Sequence, residues 1–540
     1  MTKPGKEVLF LALGGSGEIG MNLNLYGCQG KWLMVDLGVS FGNADYPGID
    51  IIMPDTAFIE ERKDALVGIL LTHGHEDHIG AVAYLAADLG VPLYANSFTA
   101  ALVARKLAEE ELADTVKVHV VDMDAQFKLG PFDIKLVQLA HSIPDMCAAL
   151  IETPYGRIFH TGDWKLDDDA KLGQPDAEAR VRALCKGGVD AIICDSTNVF
   201  NASASGSEGS VREGLMQVVG EARGRVLVTT FASNAARLET LGDVARATGR
   251  QLCVAGRSFD RIIEVARANG HLKNLPEIID WDAAMRLPRS KLMVVATGGQ
   301  GEPRAALARI AEGNHPLTLE AGDRVIYSSK QIPGNEIAIG RIMNLLAERG
   351  IETVTEKQAH IHVSGHPGKP ELAALYAWTG AKALIPVHGE MRHMMEQARF
   401  AKSVGVAEAL VQKNGQVVRL LPGPARIIET VVSGRLVLDG DMIVAADGAA
   451  MTERRRLSQS GHVAVAVSGR SARIVQRGLP IDPDDMDRFT QEVESAAVKA
   501  GVQDKGGEDK RREAIRLAVR RVATHWTGKK PLVDVLLLDS

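Results

Sequence analysis

The stretch Thr72-His73-Gly74-His75-Glu76-Asp77-His78-Ile79-Gly80 constrains this chain more than any other. Three imidazoles and a carboxylate fall within six residues, where core packing has no use for them. The strand-like run 67–72 precedes them and helical periodicity over 79–89 follows. On such a connection His73 and His75 can face one point while Asp77 and His78 turn toward a second point about 3.5–4 Å away, the spacing of two-metal hydrolytic centres. Imidazole and carboxylate without thiolate suit zinc, with manganese as the alternative. A solvated histidine-rich loop rarely carries HxHxDH, which is far more specific than a lone histidine.

A dinuclear centre needs more ligands, and candidates recur where strand-like runs end. His141 follows the run 132–139, Asp163 follows 157–161, and His388 follows 383–385. Alone, each reads as a structural residue at a strand end. In this order, beside HxHxDH, they form a set.

The 540 residues exceed what one core supports, so about three domains are expected. Apolar residues at 46% and charged residues at 24% exclude a disordered chain, a collagen-like fibre and a coiled-coil rod. The most apolar runs, such as 8–13 and 533–538, fall short of the roughly 20 residues a bilayer span needs. Five scattered cysteines, never spaced CxxC, argue against a disulfide framework. With no secretory pattern after Lys3 and Lys6, a cytoplasmic protein is expected. A net charge of −6 argues against a dedicated duplex-DNA binder, and aromatics at 4% leave little for extended base stacking.

Strand-like runs at 8–13, 22–26, 32–36 and 67–72 precede helical periodicity at 79–89 and 99–112, and strand-like runs return between 116 and 195. That order predicts a layered α/β sandwich rather than a regular βαβ array. The small-residue stretch 201–210, NASASGSEGS, marks a boundary or loop. Strand and helix then alternate from 225 to 349, the pattern of a parallel α/β domain. The first texture resumes near His360 and runs to about Asp441. A charged segment at 453–456 leads to a final region with an arginine-rich helix at 509–523 and a terminal strand at 532–538.

These motifs extend to a family resemblance. GGSGEIG at 14–20, HGHEDHIG at 73–80, HSIPD at 141–145, HTGDWK at 160–165, DSTN at 195–198, TFASN at 230–234 and GRS at 256–258 occur in order, followed by TGGQGEP at 297–303, IPGNE at 332–336, HVSGH at 362–366 and PVHGE at 386–390. Together they resemble the β-CASP nucleases of the metallo-β-lactamase superfamily, and in particular the bacterial ribonuclease J family. The resemblance implies an α/β fold: a metallo-β-lactamase αββα sandwich (1–205 and 355–445), an inserted β-CASP α/β domain (206–354), a linker (446–462) and a small C-terminal α/β domain (463–540).

It also implies roles. His73, His75 and His141 would hold one zinc ion, and Asp77, His78 and His388 a second, with Asp163 bridging. Two Zn²⁺ per chain are expected, with Mn²⁺ as the alternative. A water activated between them would attack phosphorus, and the pair Asp195–His366 would protonate the leaving 3′ oxygen. The loop His362, Val363, Ser364, Gly365 and His366 would clamp substrate phosphate, with Ser233 and Asn234 as further contacts to the RNA backbone. The implied activity is zinc-dependent RNA hydrolysis, 5′-to-3′ exonucleolytic with endonucleolytic cleavage, in mRNA turnover and rRNA processing. Single-stranded, 5′-monophosphorylated RNA would be the substrate, and a homodimer or homotetramer the assembly, with partners in an RNA-decay complex left open. Met21, Gly299, Gln331 and the stretch 201–205 depart from the usual family pattern, and none is an expected ligand.

Two alternatives keep the same chemistry: a β-CASP nuclease acting on DNA, and a small-molecule hydrolase of the metallo-β-lactamase type. A third is an inactive RNA-binding scaffold, which loss of a ligand would have signalled. Gly15-Ser-Gly17-Glu-Ile-Gly20 fits GxGxxG, yet 22–26 alternates like a strand instead of opening a helix, so a tight structural turn is expected in place of a dinucleotide site. His160 and His360 are expected to support neighbouring motifs, and His393 to stand behind the metal motif.

Overall fold

The computed structural model describes residues 5–43, 45–167, 169, 172, 176–332, 335–503 and 506–538; Pro333 and Gly334 of the IPGNE motif lie outside the described residues. Residues 1–40 and 53–433 form one compact unit, and 41–52 with 434–540 another.

The first unit contains two facing sheets. One has eight strands in the order Arg426–Thr430, Gln416–Leu421, Val8–Gly14, Leu23–Cys28, Lys31–Val35, Leu66–Leu70, Leu93–Ala95 and Val118–Val120. The other has seven, in the order Gln126–Leu129, Phe132–Gln138, Cys147–Thr153, Gly156–His160, Ala191–Asp195, Ala383–Val387 and Glu408–Ala409. Period-two geometry explains the layering. Along Cys147–Thr153, Cys147, Ala149 and Ile151 enter the core shared with Val8, Phe10, Tyr26, Leu33 and Leu70 of the first sheet. Ala148 and Leu150 point the other way, against Val181, Leu372, Leu375 and Ala401 of the helices Ala177–Leu184, Lys369–Thr379 and Met391–Ser403. A strand buried on both faces must be apolar throughout, as Ala191–Asp195 is up to its last residue. This is the αββα sandwich expected from the sequence.

Between Asp195 and Ala383 the chain builds a separate five-stranded sheet, in the order Gln251–Ala255, Leu292–Ala296, Val226–Thr229, Arg324–Tyr327 and Glu352–Val354. Every pairing in it is parallel. Its own core includes Leu227, Val294, Val325, Leu307 and Leu346. Truncating one of these side chains to alanine should cost about 2–5 kcal/mol. The stretch 201–210 is only partly loop: Ser207 accepts a hydrogen bond from Gly209 N and opens the helix Glu208–Glu221.

In the second unit His462–Ser468 alternates buried and half-buried residues, pairing antiparallel with Ser471–Arg477 and parallel with Leu532–Leu537. Val463, Val465 and Val467 meet Phe489, Val493, Ile515 and Val519 of the helices Met486–Gln503 and Glu508–Thr527. The stretch read from sequence as a linker is helical over Ala449–Ser460. Among the described residues no helix is long and apolar enough to cross a membrane.

Candidate active site

Strand ends deliver the expected residues to one place. Leu66–Leu70 leads to His73, His75, Asp77 and His78; Phe132–Gln138 leads to His141; Gly156–His160 leads to Asp163. Ala191–Asp195 ends on Asp195, and Ala383–Val387 immediately precedes His388. These last three strands are parallel neighbours, with Asp195 opposite Val387, so Asp163, Asp195 and His388 leave the sheet at one edge.

Backbone demands at two positions are severe. A Cβ on Gly38 would lie 1.7 Å from the carbonyl oxygen of Asp77, so only glycine lets the ligand loop settle there. His388 has φ +49°, in the sparsely populated left-handed region, and its N–H donates to Gly15 O at 2.6 Å. The glycine turn that resembles a dinucleotide motif therefore holds the backbone of His388. As expected, a strand follows it, Leu23–Cys28.

Two four-residue groups of potential ligand atoms converge, each within 4.8 Å of the others in its group, His73, His75, His141 and Asp163 and then Asp77, His78, Asp163 and His388, and a third group of Asp163, Asp195 and His366 adjoins them. Asp163 belongs to all three. The outer hydrogen bonds decide which ring nitrogen faces inward. His141 Nδ1 lies 2.7 Å from Gly365 O, which can only accept, so Nδ1 carries the hydrogen and Nε2 turns its lone pair inward. His78 Nδ1 likewise donates to Asp36 Oδ2 at 2.7 Å. Thr72 Oγ1 donates to the same carboxylate at 3.0 Å and accepts from His73 Nδ1 at 3.0 Å. Thr197 Oγ1 donates to His388 O at 2.8 Å and accepts from His388 Nδ1 at 3.0 Å.

Inside the site, ring nitrogens and carboxylate oxygens crowd together. His75 Nδ1 lies 3.0 Å from His73 Nε2 and 3.2 Å from His141 Nε2. His388 Nε2 lies 3.0 Å from Asp77 Oδ2 and 3.2 Å from Asp163 Oδ2. His78 Nε2 lies 3.2 Å from Asp163 Oδ2, with the Asn22 side-chain amide 3.1 Å away. Asp163 Oδ1 is buried without a hydrogen-bond partner. Nitrogens and carboxylate oxygens at these separations need protons or cations among them, and imidazole with carboxylate is a donor set that fits divalent metal ions. All five cysteines are buried and none belongs to either group.

Electrostatics divides the two groups. Burial, reinforced by neighbouring imidazoles, holds His73 and His141 well below the usual histidine range, and burial lowers His75 to about 4. These shifts favour the neutral form of all three rings. Burial also opposes charge on His78 and His388, but Asp163 with Asp36 and Asp77 outweighs it at His78, and Asp163 with Asp77 does so at His388; both are raised. That half of the site draws positive charge to itself.

His366 stands beside these groups. Its Nδ1 is 2.8 Å from Asp195 Oδ2, while Asp195 Oδ1 accepts from Thr197 N at 2.8 Å. Burial would lower His366, but the charge and hydrogen bond of Asp195 more than reverse this and raise it. Its side chain keeps 22% exposure, enough to be reached from solvent. The loop carrying it is braced: Ser364 Oγ accepts from His366 N at 3.1 Å, and Gly365 O is the carbonyl bonded to His141.

The other substrate candidates divide. Val363 is buried, with Gly206 beside it. His362 has a buried Nδ1 without a partner. Asn234 Oδ1 caps the helix Ala235–Ala247 by accepting from Arg237 N at 2.8 Å, which leaves its amide hydrogens, and Ser233 is half-buried beside it. His160 does support, with Nδ1 2.7 Å from Tyr26 Oη, and His360 bonds Ser210 at 2.9 Å. His393 sits edge-on to Phe200, ring centroids 5.2 Å apart. Sequence reasoning missed Asp36, Thr72 and Thr197, which orient the ligand rings. Asp36 carried a usable signal, since it follows Lys31–Val35 as Asp163 follows its own strand.

Known proteins agree with this geometry. Residues 223–346 match the family model for the ribonuclease J β-CASP domain, 46–228 that for the β-lactamase superfamily domain, and 353–411 that for the Zn-dependent metallo-hydrolase RNA specificity domain. The chain is 39% identical to ribonuclease J of Sinorhizobium meliloti over 550 residues, covering 98% of this chain and 97% of that one. It is 37% identical to ribonuclease J of Mycobacterium tuberculosis (96% and 94% covered) and 31% identical to that of Thermus thermophilus (99% and 96% covered). A crystal structure of a protein of unknown function from Enterococcus faecalis shares the fold, with TM-score 0.55 and 16% identity over 76% of this chain and 100% of that one. The chain belongs to the ribonuclease J family.

Proposed function

We propose that this member of the ribonuclease J family degrades single-stranded RNA from a 5′-monophosphorylated end, moving 5′ to 3′, and also cuts internally, in mRNA turnover and rRNA processing. The chain is a metal-dependent hydrolase of RNA phosphodiester bonds. One observation carries the reading: two imidazole–carboxylate groups share Asp163 beside a histidine held by its own carboxylate.

We assign His73, His75 and His141 to one zinc ion and Asp77, His78 and His388 to a second, with Asp163 common to both. Bound there, two divalent ions supply Lewis-acid chemistry, lowering the pKa of the attacking water and neutralising charge on the phosphoryl oxygens. His366, which the Asp195 carboxylate biases toward its protonated form, donates a proton to the leaving 3′ oxygen as the P–O bond breaks. Asp195 holds Nδ1–H and so presents Nε2–H to the substrate. Ser364 and the backbone amides of 362–366 hold the phosphate, with the half-buried His362 ring beside them and Ser233 and the Asn234 amide along the strand. The products are a 5′-phosphate and a 3′-hydroxyl.

In this reading residues 1–205 with 355–445 carry the metals, 206–354 provide the opposite wall of an RNA channel, and 463–540 serve assembly into a homodimer or homotetramer. Matched RNA and DNA oligomers bearing a labelled 5′-monophosphate test it, followed over time with and without chelator. Early release of labelled mononucleotide from RNA alone, blocked by chelator, is expected. Equal cleavage of DNA would redirect the assignment to a DNA nuclease, and no cleavage by metal-loaded protein would overturn it.

A further inference from the structure

A buried chain of charged side chains links the loop that carries Asp163 to the loop that carries His366. Lys165 and Asp167 lie just beyond Asp163; Lys165 Nζ is 2.9 Å from Asp167 Oδ2, and both side chains are 1% exposed. Lys165 N also donates to Ala140 O at 2.8 Å, next to His141. Asp167 Oδ2 accepts from the backbone N–H of Glu208 at 3.0 Å, at the start of the helix Glu208–Glu221. The Glu208 carboxylate then accepts two bonds from Arg237, from Nε at 3.0 Å and Nη2 at 2.9 Å.

Arg237 is wholly buried, at 0% exposure, in the first turn of Ala235–Ala247. Its Nη1 donates to Ser328 O at 2.9 Å, Ser328 Oγ at 2.5 Å and Ile361 O at 3.1 Å. Ser328 Oγ in turn donates to Ile361 O at 2.7 Å. Ile361 immediately precedes the loop 362–366. One guanidinium thus joins two helices, the end of the strand Arg324–Tyr327 and the entry to the acid loop.

A buried ion pair is a poor device for stability, since an apolar pair of equal volume does as well or better. What it supplies is register, because a planar five-donor fork accepts only one arrangement of its partners. We propose that Arg237, held by Glu208, is a positioning residue that sets the loop 361–366 against the ligand loop 163–167, so that His366 and Ser364 meet the phosphate in line with the metals. This role rests on the ribonuclease function proposed above. It acts through the backbone of Ile361 and touches neither substrate nor metal.

The double variant Arg237→Met/Glu208→Leu removes both charges at similar volume, so neither charge is left unpaired, while the carbonyl of Ser328 loses its Arg237 donor. We expect its metal content to match the wild type and its melting temperature to fall only by the loss of that one bond, while kcat on single-stranded RNA falls on the order of 10²-fold, the scale of a small misplacement. KM should change far less, and Arg237→Lys, which keeps charge but loses the fork, should fall between. Amide exchange across 361–366 reads positioning without any activity: it should be faster in the double variant than in the wild type. A double variant with native melting temperature, native kcat and native exchange overturns the proposal. If the double variant does not fold, Arg237→Lys decides, since it keeps the charge and loses the fork that reaches Ser328 and Ile361 O. Faster loop exchange with unchanged melting supports the role, and unchanged exchange overturns it. Wild-type protein that cleaves no RNA would sink the ribonuclease reading, while the exchange result would still decide the positioning of the loop.

Discussion

The metal pocket and the charge chain behind the acid loop are both buried and both polar, yet they are satisfied in opposite ways. In the pocket, nitrogens of His73, His75 and His141 crowd within about the length of a hydrogen bond, and Asp163 Oδ1 has no partner. In the chain, Arg237 and Lys165 meet carboxylates and carbonyls of the same polypeptide. A buried acceptor without a donor is costly, so the pocket is complete only with cations from outside. The chain is complete without them. Unpaired buried lone pairs mark a place for a ligand, and paired buried charges mark a strut.

That contrast can be broken at several points. The largest effect should come from His75→Ala, which removes a nitrogen 3.0 and 3.2 Å from two other proposed ligands. Activity should fall by about 10³-fold or more, the scale of losing a principal catalytic group, with metal content reduced and folding intact by circular dichroism. Native cleavage rates in this variant would sink the two-metal assignment. His366→Ala should cost about 10²- to 10⁴-fold in rate, as expected for a general acid, with both metals retained on elemental analysis. Loss of metal in that variant would mean that acid and ligand had been exchanged in the assignment.

Asp36→Asn probes the support behind the pocket. It keeps the shape but weakens the hold on His78 and Thr72, so metal affinity should fall about 10- to 100-fold by competition with a chelating dye. Unchanged affinity would show that the ring of His78 is positioned by something else.

A smaller effect appears with the cations stripped by chelator. Burial lowers His160, like His75, to about 4, while an unfolded histidine titrates near 6.5. Between those values the unfolded chain binds a proton that the folded chain refuses, so stability falls as pH drops from about 6.5 toward 4. Each such histidine should contribute about 1.4 kcal/mol per pH unit, read from urea melts of the chelated protein. His160→Gln should remove one histidine's share of that slope, and an unaltered slope would contradict the assignment.

Much of this site was legible before any coordinates. The ligands arrive in short motifs at strand ends, where local spacing and apolar runs announce both the residues and the element that carries them. Other parts had signals that went unread. Val211, Leu215, Val218 and Val219 mark the buried face of a helix beyond the small-residue stretch, and His462–Ser468 alternates as a strand should. The stretch 446–462, read as a linker, contains the helix Ala449–Ser460, whose single buried residue, Met451, offers little apolar periodicity to find.

The sequence by itself determined the chemistry: which side chains can bind a metal, in what order along the chain, and on which kind of element. It did so because ligand identity and strand-end placement are local properties, spelled out within a few residues. Only the tertiary structure decided which ring nitrogen faces inward, that Asp36 and Thr197 stand behind the ligands, and that Glu208 and Arg237 are buried partners. Those two residues are 29 positions apart and in sequence look like ordinary surface charges on helices. Burial and pairing between distant segments exist only once the layers have packed, when a charge must find its partner or forfeit its place in the core.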